Sequence, residues 1–214
     1  SAARNTYIVK DGGCGKCGKF SGKGANYCEF CGAGLAQPRH YLLIEGSSER
    51  DVAGERLLAQ CSVSSRRLIN YHRAFEAAPA GTLIRSYILA DPVVTRQTPG
   101  AVCARRLTDL PPLSIDDAGR WLEAIAPAVA ALLNANLWLP NIEVAQLLLV
   151  DDEVRLDAAL TVQPYDPAQR TTIFVQQALA MGRLLRQLAA GTLPEAAAVL
   201  LDNPQRVLQT GGGL

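Results

Sequence analysis

Apolar positions after the first forty residues recur in short runs, and they predict an ordered mixture of strands and helices. Residues 41–44 form an apolar run bounded by Gly46, which favours a strand. Residues 51–61 show a moderate helical period, and the runs at 68–75 and 82–89 predict two further strands around a turn rich in Ala, Pro and Gly. The predicted order is therefore strand, helix, strand, strand.

The second half of the chain shows the 3.6-residue period of amphipathic helices. Ser114 is a suitable N-cap with Asp117 three residues on, and the apolar positions that follow predict a long helix through residue 133. A second stripe predicts a helix over residues 174–188, and short helices are expected beyond it. Two short apolar runs within residues 147–156 predict a β-hairpin between the long helices.

Four of the six cysteines crowd into a glycine-rich segment that has too few aliphatic residues to form its own core. They form two C-x2-C pairs, ten residues apart, and a glycine follows each pair. Two residues between thiolates let one tight turn direct both sulfurs at an ion about 2.3 Å away. The spacing predicts one structural Zn²⁺ with a closed shell of Cys14, Cys17, Cys28 and Cys31. Two disulfides and an iron–sulfur centre are the competing interpretations.

The other candidate ligands do not form such a pattern. Cys61 and Cys103 stand alone in the sequence and are expected to be buried structural thiols. His40 and His72 are expected to be ordinary surface or core residues rather than metal ligands.

Charge is distributed unevenly along the chain. Residues 1–40 hold six basic and two acidic residues, including all four lysines, whereas the remainder is slightly acidic. Basic residues interleaved with Phe20, Tyr27 and Phe30 would suit a nucleic acid, but a solvated face around a metal knuckle is the favoured interpretation. We find no apolar run of membrane-spanning length and no signal pattern, so a cytoplasmic protein is expected.

Composition changes sharply near Pro38, where the glycine-rich cysteine segment gives way to denser apolar sequence. We therefore predict a zinc ribbon over residues 1–37 and a larger domain over residues 38–214. The combined fold class is α+β.

The larger domain resembles the protein kinase fold in the order of its elements. The helix after Ser114, the stretch at residues 139–146, the hairpin and Asp157 are similar to the kinase run of helix, catalytic loop, hairpin and metal-binding loop. Upstream, Glu45 falls at the position of the strand lysine and Glu55 at that of the helix glutamate. The resemblance implies a two-lobed domain.

Most groups that phosphoryl transfer needs are missing from this pattern. Asn141 replaces the catalytic aspartate, Gln146 replaces the metal-binding asparagine, and alanines follow Asp157 where the kinase motif has Phe and Gly. Residues 41–214 contain no lysine, and the twelve residues between Cys31 and Ile44 are too few for a glycine-rich-loop hairpin. The resemblance thus implies a truncated kinase-like domain without that hairpin.

These features predict a pseudokinase, a non-enzymatic scaffold or signalling module that binds another protein. ATP binding is not expected. One alternative is an atypical kinase that uses Arg56 for the phosphates and Asp151, Asp152 or Asp157 for the metal. The other is a nucleic-acid-binding ribbon joined to a protein dock. The ribbon is also expected to pack against the edge or face of the small sheet that the missing hairpin would leave uncovered.

Overall fold

A computed structural model of the chain describes residues 4–10, 16–17, 19, 27–34, 40–78, 82–99 and 101–189. The longer strands are β1 (Arg4–Lys10), β2 (His40–Gly46), β3 (Tyr71–Ala77), β4 (Arg85–Ala90), β9 (Leu147–Val150) and β10 (Glu153–Leu156). Two-residue strands are β5 (Val93–Val94), β6 (Val102–Cys103), β7 (Arg105–Arg106), β8 (Leu137–Trp138) and β11 (Gln163–Pro164). The helices are α1 (Ala53–Gln60), α2 (Ile115–Asn134) and α3 (Arg170–Leu188).

The first four long strands form one antiparallel sheet in the order β1-β2-β4-β3. Ile44 and Ile88, both in the core, lie on the face that α1 covers, because side chains alternate between the two faces of each strand. Gly46 begins the connection to α1 and has no room for a side chain, since an added Cβ would lie 3.0 Å from Val52 Cγ1. This small sheet with one helix is the first of two packed regions.

β1 is the feature of this sheet that the hydrophobic pattern does not predict. Residues 4–10 fall within the range 1–37 expected for the ribbon, but they pair with β2 along its whole length, from Arg4 opposite Gly46 to Lys10 opposite His40. β1 therefore lies along the edge of β2 that was predicted to lack the glycine-rich-loop hairpin. The cysteine segment becomes the connection between two neighbouring strands.

The second region is built on α2 and α3, which contact each other, and on the hairpin of β9 and β10. Ser114 caps α2 as expected, because its Oγ accepts a hydrogen bond from the Asp117 backbone N–H at 3.1 Å. Ile125 and Leu132 of α2 and Leu184 of α3 are fully buried. The apolar period of both helices therefore faces a common core.

The two regions are joined by a short backbone ladder. Leu68 forms a parallel bridge with Leu156, the Ile69 N–H donates to the Leu156 carbonyl at 3.0 Å, and the Leu156 N–H donates to the Arg67 carbonyl at 2.8 Å. Leu68 is 2% exposed and belongs to the same hydrophobic cluster as α1 and α2. The core therefore continues from the small sheet into the helical region.

The mixed helix-and-strand architecture predicted from the sequence is confirmed, whereas β1 and the short strands β5, β6 and β7 were not predicted. The helices expected beyond residue 193 lie outside the described residues. Within the described part of the chain, no helix combines the length and the apolar character required to cross a membrane.

Candidate functional site

Three of the four predicted zinc ligands come together. The Sγ atoms of Cys17, Cys28 and Cys31 all lie within 4.8 Å of one another, and those of Cys17 and Cys28 are 3.5 Å apart. Sulfurs that share a tetrahedral ion at about 2.3 Å stand at comparable separations. These three thiols can therefore hold one metal ion. Cys14, the fourth predicted ligand, lies outside the described residues.

Backbone hydrogen bonds shape the turn that carries the second cysteine pair. The Gly32 N–H donates to the Cys28 carbonyl at 2.9 Å, and the Cys28 N–H donates to the Ala33 carbonyl at 2.8 Å. Gly32 has φ +66°, in the left-handed region that glycine adopts without a Cβ clash. The glycine after the pair is thus needed so that the chain can reverse and present both thiols.

A second polar cluster lies where α1 meets the end of β10. Glu55, on α1, is 4% exposed and forms an ion pair with Arg4 of β1. Tyr71, at the start of β3, donates its hydroxyl to Asp157 Oδ1 at 2.8 Å. We call these four residues, Arg4, Glu55, Tyr71 and Asp157, the cleft cluster. It links α1 and the small sheet to the segment that follows β10.

Burial dominates the electrostatics of the cleft cluster. Loss of solvent raises the pKa of Glu55, the Arg4 guanidinium opposes that rise, and Asp157 adds to it. Burial, followed by the charge of Asp157, holds the pKa of the Tyr71 hydroxyl well above its ordinary value. Tyr71 is therefore a neutral hydrogen-bond donor to Asp157.

Arg4, rather than Glu45, lies beside Glu55. Residues 5 and 7 of β1 both donate to the Glu45 carboxylate, Asn5 Nδ2 at 3.2 Å and Tyr7 Oη at 2.8 Å. Arg4 points to the other face, because neighbouring side chains of a strand alternate. Glu45 therefore lies on the face away from Glu55, where it pairs with Arg85.

Arg56 does not reach the cleft cluster either. Its Nη1 lies 2.9 Å from carboxylate oxygens of both Glu49 and Glu76. Asp151 and Asp152 form the turn between β9 and β10, with φ 50° and 61°, and Asp157 follows β10 at the opposite end of the strand. Of the three aspartates that the atypical-kinase alternative offered as metal ligands, only Asp157 therefore belongs to the cleft cluster, and Arg56 is paired with carboxylates elsewhere.

The residues at the catalytic-loop positions are bound into the protein. Gln146 is 2% exposed, its Oε1 accepts from the Glu143 N–H at 2.8 Å, and its Nε2 donates to Thr161 Oγ1 at 3.0 Å. The same Nε2 donates to the Asp157 carbonyl at 3.2 Å. Asn141 donates to Glu143 Oε1 at 2.8 Å. The Gln146 amide thus fixes the loop geometry.

The backbone of α1 packs against the loop that follows Asp157, on one side of the cleft cluster. A Cβ added to Gly54 would stand 1.8 Å from the Ala159 carbonyl oxygen, so the helix lies directly against the loop after Asp157. The Ala159 N–H donates to Asp157 Oδ1 at 3.2 Å. The missing side chain of Gly54 permits this approach.

The remaining thiols and imidazoles give a mixed outcome. Cys61 and Cys103 are exposed, so the expectation that both are buried is wrong. Each lies near the end of an element rather than on its core-facing stripe. His72 Nε2 lies 2.9 Å from Asp91 Oδ1 and forms part of a surface ion pair, in line with the ordinary role expected for it.

Arg4 and Tyr71 are functional candidates that sequence reasoning did not find. Arg4 lies within the range assigned to the ribbon, where the cysteine pattern was the main feature. Tyr71 was counted as one of the apolar residues of a predicted strand. The only hint in the sequence was the absence of lysine from residues 41–214. A cation beside Glu55 therefore had to be an arginine or come from outside that range.

No family model and no curated protein matches this sequence. Among solved structures, the Drosophila melanogaster PAN3 pseudokinase matches with a TM-score of 0.51 and 13% identity, over 98% of this chain and 52% of that one. The Neurospora crassa PAN3 pseudokinase matches with a TM-score of 0.47 and 18% identity, over 81% of this chain and 46% of that one. The chain thus spans about half the length of the structures it resembles, and the Drosophila match shows a kinase-like fold.

Proposed function

We propose that this chain is a non-catalytic, pseudokinase-like module that binds another protein and carries a structural zinc ribbon. One observation supports the loss of catalysis above all others. The side chains that stand at the catalytic and metal-binding positions, Asn141, Gln146 and Asp157, are all engaged in hydrogen bonds within the protein. Side chains with such internal hydrogen bonds stabilise the fold rather than contact a substrate.

The chemistry of these groups leads to the same conclusion. The amide of Asn141 cannot take a proton from a substrate hydroxyl. The amide oxygen of Gln146, which would have to bind the metal, already accepts a hydrogen bond from the Glu143 N–H. Arg4 supplies a cation to the cleft, but it is already paired with Glu55. Asp157 would be a single metal carboxylate without a matched base.

Incubation of the purified chain with Mg-ATP and a general protein substrate tests this proposal. We expect no phosphoryl transfer from the wild-type chain above that of the Asp157→Asn variant. Transfer by the wild type that disappears in Asp157→Asn would overturn the non-catalytic assignment. A nucleotide-dependent rise in melting temperature alone would show binding in the cleft and would leave that assignment intact.

An open groove of mixed polar and apolar surface is where we place the protein-binding part of the proposal. It has a volume of about 180 Å³ and lies between the segment before α2, α2 itself and the end of α3. Apolar side chains line most of it, including Leu107, Leu110, Pro111, Leu113, Trp121 and Leu188. Such a groove suits a short segment of a partner protein that carries both apolar and polar side chains.

A matched pair of surface substitutions tests the groove. Thr108 is exposed at its rim, so Thr108→Arg should block the groove without disturbing the core. Leu83 is 85% exposed on the β3–β4 connection, and Leu83→Arg is the control. We expect a partner purified with the wild-type chain to be lost from Thr108→Arg and retained by Leu83→Arg. Equal retention by both variants would exclude the groove as the docking surface.

We propose Zn²⁺ as the ion of the cysteine cluster, with Cys14 as the fourth ligand. Four thiolates close the coordination shell, so the ion would stabilise the segment without providing an open site for a substrate. Metal analysis should find one zinc per chain. Cobalt substitution should give the visible absorption of a tetrahedral thiolate site, which Cys28→Ser should lose and Cys61→Ser should retain. An iron–sulfur spectrum would contradict the zinc assignment.

A further inference from the structure

β1 buries little apolar surface, so it is held mainly by its backbone pairing with β2 and by the polar contacts of Arg4, Asn5 and Tyr7. Its residues are exposed over most of its length, with only Ile8 and Val9 partly buried among the apolar ones. It is an edge strand that pairs with β2 alone. Strands with little apolar burial belong to the segments that open most readily.

The connection that follows β1 is long. Residues 11–39 separate the end of β1 from the start of β2, although the two strands are paired at that end, Lys10 opposite His40. The entropic cost of bringing two strands together rises with the length of the chain that connects them. A link that ties distant points of the connection together lowers that cost, as a disulfide does in the unfolded chain.

The cysteine cluster provides such a link. Cys17 stands in the part of the connection nearer to β1, and Cys28 and Cys31 stand nearer to β2. The three thiols nevertheless converge within 4.8 Å of one another. An ion held there would shorten the effective connection and favour the paired state of the two strands.

The far end of β1 enters the cleft cluster. Arg4 forms an ion pair with the buried carboxylate of Glu55. The charge of Glu55 also contributes to the raised pKa of Tyr71. Among the described residues, Arg4 is the only ion-pair partner of Glu55. Release of β1 would therefore leave a buried carboxylate without its cation, beside Asp157.

We infer that the cysteine cluster is a metal-dependent clasp for β1, and that metal binding at the cysteines determines whether Arg4 is held against Glu55 in the cleft. This inference rests on the metal site proposed above. In the metal-bound protein β1 covers the edge of β2 and Arg4 neutralises Glu55. In the metal-free protein β1 detaches, the β2 edge is exposed, and the cleft cluster loses its cation.

Hydrogen exchange measured by mass spectrometry tests this coupling in the full chain, with zinc bound and after removal of zinc by a chelator. We expect amides of residues 4–10 to exchange faster by about ten-fold or more without metal. Amides of β4 (Arg85–Ala90), at the centre of the sheet, should keep their rates. Unchanged exchange in residues 4–10 after zinc removal would overturn the inference, and so would a matching acceleration in β4, since that indicates global unfolding.

A second measurement connects the clasp to the cleft. Arg4→Met should lower the urea midpoint of the zinc-bound protein and have little effect on the metal-free protein, where Arg4 has already left Glu55. Arg56→Met is the matched control, because Arg56 bridges Glu49 and Glu76 without involving β1. Its effect should be the same in both states.

The outcomes separate the two proposals. A chain that binds neither zinc nor cobalt would show that the metal site itself is wrong, and the clasp with it. A chain that binds zinc, but in which Arg4→Met lowers the midpoint equally with and without metal, would retain the metal site and overturn only the clasp.

Discussion

Glu45 and Glu55 lie on opposite faces of the small sheet, and their different surroundings shift their pKa values in opposite directions. Hydrogen bonds from Tyr7 and then Arg85 lower the pKa of Glu45. Burial raises the pKa of Glu55, against the opposing charge of Arg4. Because a pKa shift on folding couples stability to pH, the two carboxyls should contribute to stability in different pH ranges and with opposite signs.

Glu55 should make the protein less stable as pH rises. Its folded-state pKa lies above the unfolded one, so the folded state holds more protons between the two values and loses stability across that window. Glu55→Gln removes this dependence. We expect the wild-type chain to lose stability relative to Glu55→Gln as urea unfolding is repeated from about pH 4 upward. A difference between the two that is constant with pH would contradict the buried, raised-pKa carboxyl.

Glu45 should show the reverse dependence. Its folded-state pKa is lowered, so its contribution is complete above the ordinary carboxyl range and disappears as pH falls through the lowered value. Glu45→Gln should therefore be less stable than the wild type at neutral pH and approach it in acid. The same urea series measures this, and a deficit that persists at low pH would argue against the ionic contacts of Glu45.

At the scale of elements, α1 is positioned by the absence of a side chain at Gly54. Alanine would stabilise an isolated helix by about 1 kcal/mol relative to glycine. Here, however, its Cβ would lie 1.8 Å from the Ala159 carbonyl oxygen. The clash is with backbone, which cannot rotate away, so α1 would have to move from the loop after Asp157.

We predict that Gly54→Ala destabilises the protein by about 1–3 kcal/mol, the usual cost of overpacking. Gly119, on α2, is the matched control because an added Cβ would meet nothing within 4 Å. Gly119→Ala should stabilise by about 0.5–1 kcal/mol through helix propensity alone. Equilibrium urea unfolding measures both. A stabilising Gly54→Ala would show that α1 does not rest on the loop.

An element can be predicted from the sequence when neighbouring residues alone determine its structure. α2 has a capping serine and a sustained apolar period, so the sequence was sufficient to place it. β1 carries no clear alternation, and its residues are mostly exposed. Its strand conformation depends on hydrogen bonds to β2, which begins thirty residues after β1 ends and cannot be identified as its partner from local pattern.

At the scale of the whole molecule, the ladder around Leu68 should make the two regions unfold together. Leu68→Ala should cost about 2–5 kcal/mol, because it empties a buried position shared by both regions. We expect the near-ultraviolet and far-ultraviolet circular dichroism signals to be lost in one transition in both the wild type and the variant. Two separated transitions in the wild type would contradict a shared core.

Arg66→Ala is the control for this substitution. Arg66 bonds Glu153 across the two regions, but its side chain is 78% exposed. Exposed ion pairs contribute about 0–1 kcal/mol, so its removal should change the midpoint only slightly. A loss as large as that of Leu68→Ala would mean that surface charges, rather than the buried ladder, hold the regions together.

The sequence by itself determined the features that neighbouring residues specify. The helical period fixed α2 and α3, the paired apolar runs fixed the β9–β10 hairpin, and the cysteine spacing predicted the converging thiols of Cys17, Cys28 and Cys31. The order of these elements was enough to indicate a kinase-like fold. Each of these signals lies within a short stretch of chain, where covalent geometry limits the possible structures.

Only the tertiary structure decided which distant residues meet. It placed Arg4 rather than Glu45 beside Glu55, and it committed Tyr71 to Asp157. A shift of one residue along a strand moves a side chain to the other face, so the partner of Glu55 depended on the register of β1 against β2. That register is set by long-range pairing and packing, which no local pattern in the sequence records.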